Sequence, residues 1–269
     1  MKTVCVITGG DSGMGLATAK ILGKEHHIIV GRSVKKLETT LQELRSESIE
    51  AEVFPCDISD SQSVNKLAEH AKSIGKIVSV IHAAGMSPNM GEARQIMEAN
   101  ALGTININNA FYDKMGRGSC VVDVSSISGY LAPKFIMPTG SYKYSRTNID
   151  KFFKKMMQRV NLFPKKLRPF LAYCISKNFV IWFAKTDAAR FGQKGARVVS
   201  VTPGTFETPM GELEKENADN YLKYCAIKHT GKVEEIADLL AFCASEKAGY
   251  LTGVDIICDG GCLAGKKKI

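Results

Sequence analysis

A chain of 269 residues with 45% apolar and 23% charged composition fits one large α/β domain with a substantial core. Its eight Cys form no CxxC pair and have no His-rich neighbour, which argues against a zinc site or disulfide framework and fits reduced thiols in the cytoplasm. The net charge of +9 is local: residues 131–172 hold ten Lys/Arg and one acid, Asp150, the tail adds Lys266, Lys267 and Lys268, and the rest is nearly balanced, so no nucleic-acid partner is expected. No apolar run approaches the ~20 residues of a membrane span, and the first strand begins almost at Met1, so neither a span nor a signal peptide is expected. No metal site is expected either.

Val4-Cys5-Val6-Ile7 is a short β-branched run that reads as a buried parallel strand. Thr8-Gly9-Gly10-Asp11-Ser12-Gly13-Met14-Gly15 follows and leads into a helical pattern of Leu16, Ala19, Ile21 and Leu22. A strand, a glycine turn and a helix N-terminus make a phosphate cradle, because glycines let the backbone approach a pyrophosphate and the helix N–H groups point at it. A tight turn without a ligand is the alternative. The second strand, His27 to Val30, ends at Gly31-Arg32-Ser33. An acid there would bond the ribose 2′-OH of NAD, whereas an Arg pairs with the 2′-phosphate of NADP. Arg32 therefore favours NADP, with NAD as the alternative. A helix over 33–47 precedes a strand from Glu52 to Pro55. Beyond it, Asp57 is placed to meet an adenine amino group, or Asp57 or Ser59 caps the next helix, over 61–73. The strand Ile77 to Ile81 ends in His82-Ala83-Ala84-Gly85, whose small residues let a cofactor come close. A lone His at a strand end reads as structural rather than as a catalytic base.

Val121 to Ser126 reads as a further strand, and Tyr173-Cys174-Ile175-Ser176-Lys177 as part of a helix. A Tyr and a Lys four apart share one helix face. A phenol ordinarily titrates near about 10, and a neighbouring ammonium favours its phenolate, so the pair can act as a general acid/base near neutral pH. Taken in order, these motifs resemble the short-chain dehydrogenase/reductase family. Thr8-Gly9-x-x-x-Gly13-x-Gly15 is similar to its cofactor turn, and His82-Ala83-Ala84-Gly85 to its Asn-Asn-Ala-Gly segment, with His and Ala in place of two Asn. Asn100, Ser126, Tyr173 and Lys177 stand where the family has its active-site Asn, Ser, Tyr and Lys. Pro203 to Met210 resembles the nicotinamide-side loop, and Leu251 to Gly261 the final strand and turn.

The resemblance implies a Rossmann-type, doubly wound parallel sheet in one domain spanning 1–269. It implies a small-molecule alcohol or ketone as substrate, and a homo-oligomer. It assigns cofactor contacts to Gly9, Asp11, Ser12, Gly13, Met14, Gly15, Arg32, Asp57, Ile58, His82, Ala84, Gly85, Tyr173, Lys177, Pro203, Gly204 and Thr208. In reduction Tyr173 would give its proton to the carbonyl oxygen and Ser126 would orient that oxygen. Lys177 would lower the Tyr173 pKa and hold the ribose, Asn100 would hold a water linking Lys177 to solvent, and Thr208 would bind the carboxamide. The segment 205–230 reads as a substrate loop, with Glu207 facing solvent.

Ser126 and Tyr173 lie 47 positions apart, much farther than in most members. Tyr142 is closer to Ser126, but its i+4 partner is Arg146, which stays ionised and cannot shuttle a proton. Tyr173 is therefore kept, and about 131–170 is read as a helical insertion before the catalytic helix. The stretch from Gly85 to Asn100 is short, so the intervening helix is expected to be clipped. Within the insertion Ile149, Phe152, Phe153, Met156, Met157 and Val160 form one apolar helix face, with Lys151, Lys154, Lys155 and Arg159 largely away from it and Pro164 ending the helix. Four readings fit: a helix packed on the domain, a lid over a bulky apolar substrate, a subunit contact that alters the family's dimer interface, or an anionic-surface contact. A similar insertion occurs in bacterial 3α-hydroxysteroid dehydrogenase/carbonyl reductase relatives, so the specificity of the protein is expected to reside in it. The competing function is a non-catalytic dinucleotide-binding regulator whose basic insertion meets nucleic acid or an acidic partner.

Overall fold

Short β-branched runs alternating with amphipathic helices force parallel pairing, because each crossover must carry the chain back along a face of the sheet. In the computed structural model, which describes residues 2–24, 27–30, 34–213 and 220–266, the strands are β1 (Thr3–Thr8), β2 (His27–Val30), β3 (Ala51–Val53), β4 (Lys76–His82), β5 (Cys120–Val124), β6 (Arg197–Pro203) and β7 (Asp255–Cys258). They form one parallel sheet in the order β3-β2-β1-β4-β5-β6-β7. The winding reverses between β1 and β4, and the crevice beyond the C-terminal ends of these two strands is where ligands bind in such sheets. Arg32, with Gly31, Ser33, Lys267 and Lys268, lies outside the described residues.

The helices are α1 (Gly13–Leu22), α2 (Val34–Ser46), α3 (Ser61–Ile74), α4 (Ala93–Met97), α5 (Gly103–Tyr112), α6 (Ser128–Leu131), α7 (Thr139–Tyr142), α8 (Ile149–Asn161), α9 (Arg168–Gly192), α10 (Pro209–Glu212), α11 (Val233–Ala244) and α12 (Cys262–Lys266). Strand alternation divides the core. Val4, Val6 and Val80 pack with Leu67, Phe111 and Ala184 on one face of the sheet, and Ile7, Ile81 and Val122 with Ala19 and Leu240 on the other. Among the described residues no helix is long and apolar enough to cross a membrane, and no disulfide joins any of the eight cysteines.

Several local expectations shift. The third strand ends at Val53 rather than at Pro55, which has no N–H for a ladder. Asp60, not Asp57 or Ser59, caps α3 by accepting from the Gln62 N–H at 2.9 Å. Asp57 instead accepts from the N–H and hydroxyl of Ser59, at 3.0 and 2.7 Å. The clipped helix is α4, which runs into a π-helical turn, Glu98–Leu102, before α5.

The insertion leaves the sheet after α6 and rejoins it at α9. Phe152, Met156 and Val160 of α8 are buried against Ile96 and Met97 of α4 and Phe179 and Phe183 of α9. The Phe152 and Phe179 rings lie 4.6 Å apart. Ile149, expected on the buried face, stands at its rim and is exposed. Tyr142 is fully buried and donates to Asn178 Oδ1 at 2.9 Å. Arg146 lies over the Phe183 ring and pairs with the buried Asp187 at 2.7 Å, and Arg190 pairs with the same carboxylate at 2.7 Å.

Candidate active site

At the end of β1 the chain must turn sharply beneath the end of β4. Gly9 adopts φ +68°, and a Cβ there would lie 2.8 Å from Ala84 N; a Cβ on Gly15 would lie 2.2 Å from Gly9 O. The loop is thus packed backbone to backbone, with Ser12 as an extended N-cap whose side chain makes no capping bond to α1. First-turn N–H groups have no partner inside a helix, and Ser12, Gly13, Met14 and Gly15 all line the adjoining cleft. A cradle of glycines and helix N–H groups that no side chain fills fits the pyrophosphate of a dinucleotide.

The Thr8 hydroxyl fixes the neighbouring strand end. It lies 2.8 Å from His82 Nδ1 and accepts from Ala84 N at 3.3 Å. His82 was expected to contact the cofactor, but it pairs across from Thr8 in the sheet, is buried, and is not among the residues lining the cleft. Burial, with the charge of Lys177 adding to it, holds its imidazole down to about 3, so it is neutral at ordinary pH. It braces the cofactor turn from below.

The opposite wall is built by the end of β5 and the second turn of α9. The Ser125 hydroxyl donates to the Lys177 carbonyl at 2.8 Å, and Lys177 Nζ donates to the Val124 carbonyl at 2.9 Å, which clamps α9 to the strand end. That clamp presents the Tyr173 ring with Lys177 Nζ 5.9 Å from its centroid. Ser126 is half-buried beside them, its Oγ accepting from Ser128 N at 3.2 Å. Ser126, Tyr173 and Lys177 all line the cleft.

Asn100 sits in the π-helical turn, buried and off the cleft lining. Its Oδ1 accepts from Met86 N at 2.8 Å, and its Nδ2 donates to Met86 O at 3.0 Å and to Ser176 Oγ at 3.3 Å. The amide ties the loop after β4 to α9.

The cleft has a volume of about 670 Å³. Asp11, Asp57, Ile58, Ala84, Gly85, Pro203, Gly204 and Thr208 line it as expected. Thr208 caps α10, its Oγ1 accepting from Gly211 N at 2.9 Å, and Glu207 is exposed and off the lining. Two features escaped the sequence reading. Met86, Met90, Met210, Leu213 and Tyr221 give the cleft an apolar end, and Asn89 Nδ2 reaches across to the Leu213 carbonyl at 2.7 Å. These residues lie in loops and short helical turns, too short to show periodicity; the Met residues directly behind Gly85 and Pro209 are the signal the sequence offers. Conversely, no residue between 129 and 172 lines the cleft. The apolar face of the insertion is spent on α4 and α9.

A glycine cradle on one wall and a phenol–ammonium pair on the other, at the switch point of a parallel sheet, define a dinucleotide-dependent oxidoreductase. Residues 3–162 match the family model described as short chain dehydrogenase, and residues 165–262 the one described as Enoyl-(Acyl carrier protein) reductase. The chain belongs to the short-chain dehydrogenase family, whose cofactor is a nicotinamide dinucleotide. It is 28% identical over 271 residues to the short-chain dehydrogenase/reductase bsc3 of Alternaria brassicicola, covering 98% of this chain and 97% of that one. It is 26% identical over 271 residues to the 3-oxoacyl-(acyl-carrier-protein) reductase FabG of Thermotoga maritima, with 96% of each covered. In fold it is similar to a short-chain type dehydrogenase/reductase from Mycobacterium ulcerans, with a TM-score of 0.77 and 23% identity over 98% of this chain and 90% of that one.

Proposed function

We propose that the protein is an NADP(H)-dependent oxidoreductase of the cytoplasm that interconverts a bulky apolar secondary alcohol, such as a hydroxysteroid, with its ketone. The observation that carries this reading is the convergence of Tyr173, Lys177 and Ser126 on a cleft whose far wall is the glycine cradle. When bound, the nicotinamide supplies or takes the hydride. In reduction the Tyr173 hydroxyl gives its proton to the substrate carbonyl oxygen, and the Ser126 hydroxyl holds that oxygen in place. The Lys177 ammonium stabilises the phenolate left behind. In oxidation the same groups run in reverse. Asn100 and Ser125 touch no reacting atom in this scheme; they hold Met86 and α9 in position.

The apolar end of the cleft supports a large apolar substrate, because Met side chains adapt to irregular apolar shapes. Arg32 supports NADP over NAD, and eight cysteines without a disulfide support a reducing compartment. A structure of similar fold from Burkholderia cenocepacia is described as a complex with NADP, with a TM-score of 0.75 and 20% identity over 96% of this chain and 97% of that one.

A screen of NADPH oxidation over steroid, bile-acid, quinone and small-ketone panels tests the function. Turnover of bulky ketones is expected, and no turnover with any carbonyl and either dinucleotide would remove it. Arg32→Ala is expected to lower the NADP/NAD preference at least about tenfold; an unchanged ratio would take Arg32 out of cofactor selection.

A further inference from the structure

The corner joining α8 to α9 gathers exposed apolar side chains and lysines in one short stretch. Across Leu162-Phe163-Pro164-Lys165-Lys166-Leu167-Arg168-Pro169-Phe170 three large apolar side chains are exposed, Leu162 at 73%, Leu167 at 49% and Phe170 at 41%, while Phe163 is half-buried. Lys165 and Lys166 are exposed between them. The corner is ordered by its own bonds. Arg168 turns back to donate to the Phe163 and Asn161 carbonyls at 2.9 and 3.1 Å, and Leu167 N donates to Pro164 O at 2.9 Å. Its exposed leucines are thus displayed on a fixed scaffold.

We infer that this corner is a docking surface for an anionic lipid bilayer, placing the cleft beside the membrane surface. Charge is the first argument. Between Asp150 and Asp187 the chain has no acidic residue, and on the adjoining α4 segment Glu98 is already paired with Arg94 at 2.8 Å. A second copy of so basic a patch would be repelled. Exposed aliphatic side chains among lysines suit the headgroup boundary, where Leu enters the acyl region and Lys meets lipid phosphate. Position is the second argument. Phe170 precedes Tyr173 by three residues of α9, about 5 Å along the helix axis, so the corner flanks the catalytic turn of the helix.

Co-sedimentation of the full chain with phosphatidylcholine vesicles, with and without phosphatidylglycerol, tests this. The wild type is expected to pellet with the anionic vesicles at low salt and to be largely released at high salt. Lys165→Ala/Lys166→Ala is expected to weaken that binding by about tenfold or more, and Leu162→Ser by about fivefold. Both changes are at exposed positions outside the cleft, and unchanged melting temperatures separate weakened docking from loss of fold. Failure of the wild type to pellet at low salt overturns the inference without recourse to any variant. Full binding by Leu162→Ser, or binding of RNA without binding of vesicles, overturns it in favour of a general polyanion site.

Discussion

Two tyrosines compete for the catalytic role, and their surroundings separate them. Tyr173 stands with a lysine at the cleft wall. Tyr142 is enclosed by Phe179 and Trp182, donates to Asn178, and burial pushes its hydroxyl well above the ordinary phenol range. In the sequence the two differ in their i+4 partners: Lys177 can hand on a proton and Arg146 cannot. The surroundings of Asn100 were not legible: its amide is directed to Met86 by a π-helical turn that has no signature in residue spacing. The two phenols predict opposite phenotypes. Tyr173→Phe is expected to lower kcat by about a hundredfold or more while NADPH binding, followed by its fluorescence, stays within a few-fold. Tyr142→Phe is expected to retain turnover and to lose about 1 kcal/mol of stability in urea unfolding. Turnover surviving in the first variant, or vanishing from a folded second one, would exchange the assignments.

At the scale of elements, hydrophobic spacing located α8 and its apolar face but not what that face covers. Periodicity defines a stripe and says nothing of its partner. The partner is the outer side of α4 and α9, so Phe179 and Phe183 are buried within the chain. The cleft itself is lined by Met86, Met90, Met210 and Leu213, which lie outside the insertion. The insertion is fastened by Arg146, which reaches Asp187 from the segment before α8 and lies 3.8 Å over the Phe183 ring. Asp187 keeps Arg190 as a second partner, with bonds at 2.7 and 2.8 Å. Arg146→Ala is therefore expected to cost about 2 kcal/mol, less than stranding a buried charge outright. It should leave KM for NADPH unchanged, because the ion pair lies away from the cradle. Destabilisation is read from the urea midpoint, and a cost near zero would mean that α8 is held by its apolar face alone.

The molecule as a whole carries two buried titratable groups whose pH responses oppose each other, and neither could be read as buried from the sequence, where Asp123 is one polar residue in a valine run. In the fold the alternation of β5 turns Asp123 inward, where Asn108 Nδ2 lies 3.1 Å from both carboxyl oxygens. Burial pushes that carboxyl up to about 8 from 3.8, against the hydrogen bond from Asn108. Between those values the folded chain keeps a proton that the unfolded chain has lost, so stability falls as pH rises through the window. His82 acts in the other direction. Its folded value of about 3 lies below the ordinary 6.5, so the unfolded chain binds a proton the folded one refuses, and stability falls as pH drops from 6.5 towards 3. The two slopes offset one another from about pH 4 to 6.5, and above that only the Asp123 slope remains. Asp123→Asn, which keeps the shape and removes the titration, is expected to flatten the loss of stability between pH 6.5 and 8 relative to the wild type. It should leave the acid limb below pH 4 in place, since that limb belongs to His82. Urea midpoints of both proteins across pH 3–9 give the comparison, and a wild-type and variant decline of equal steepness above pH 6.5 would show that Asp123 is already ionised in the fold.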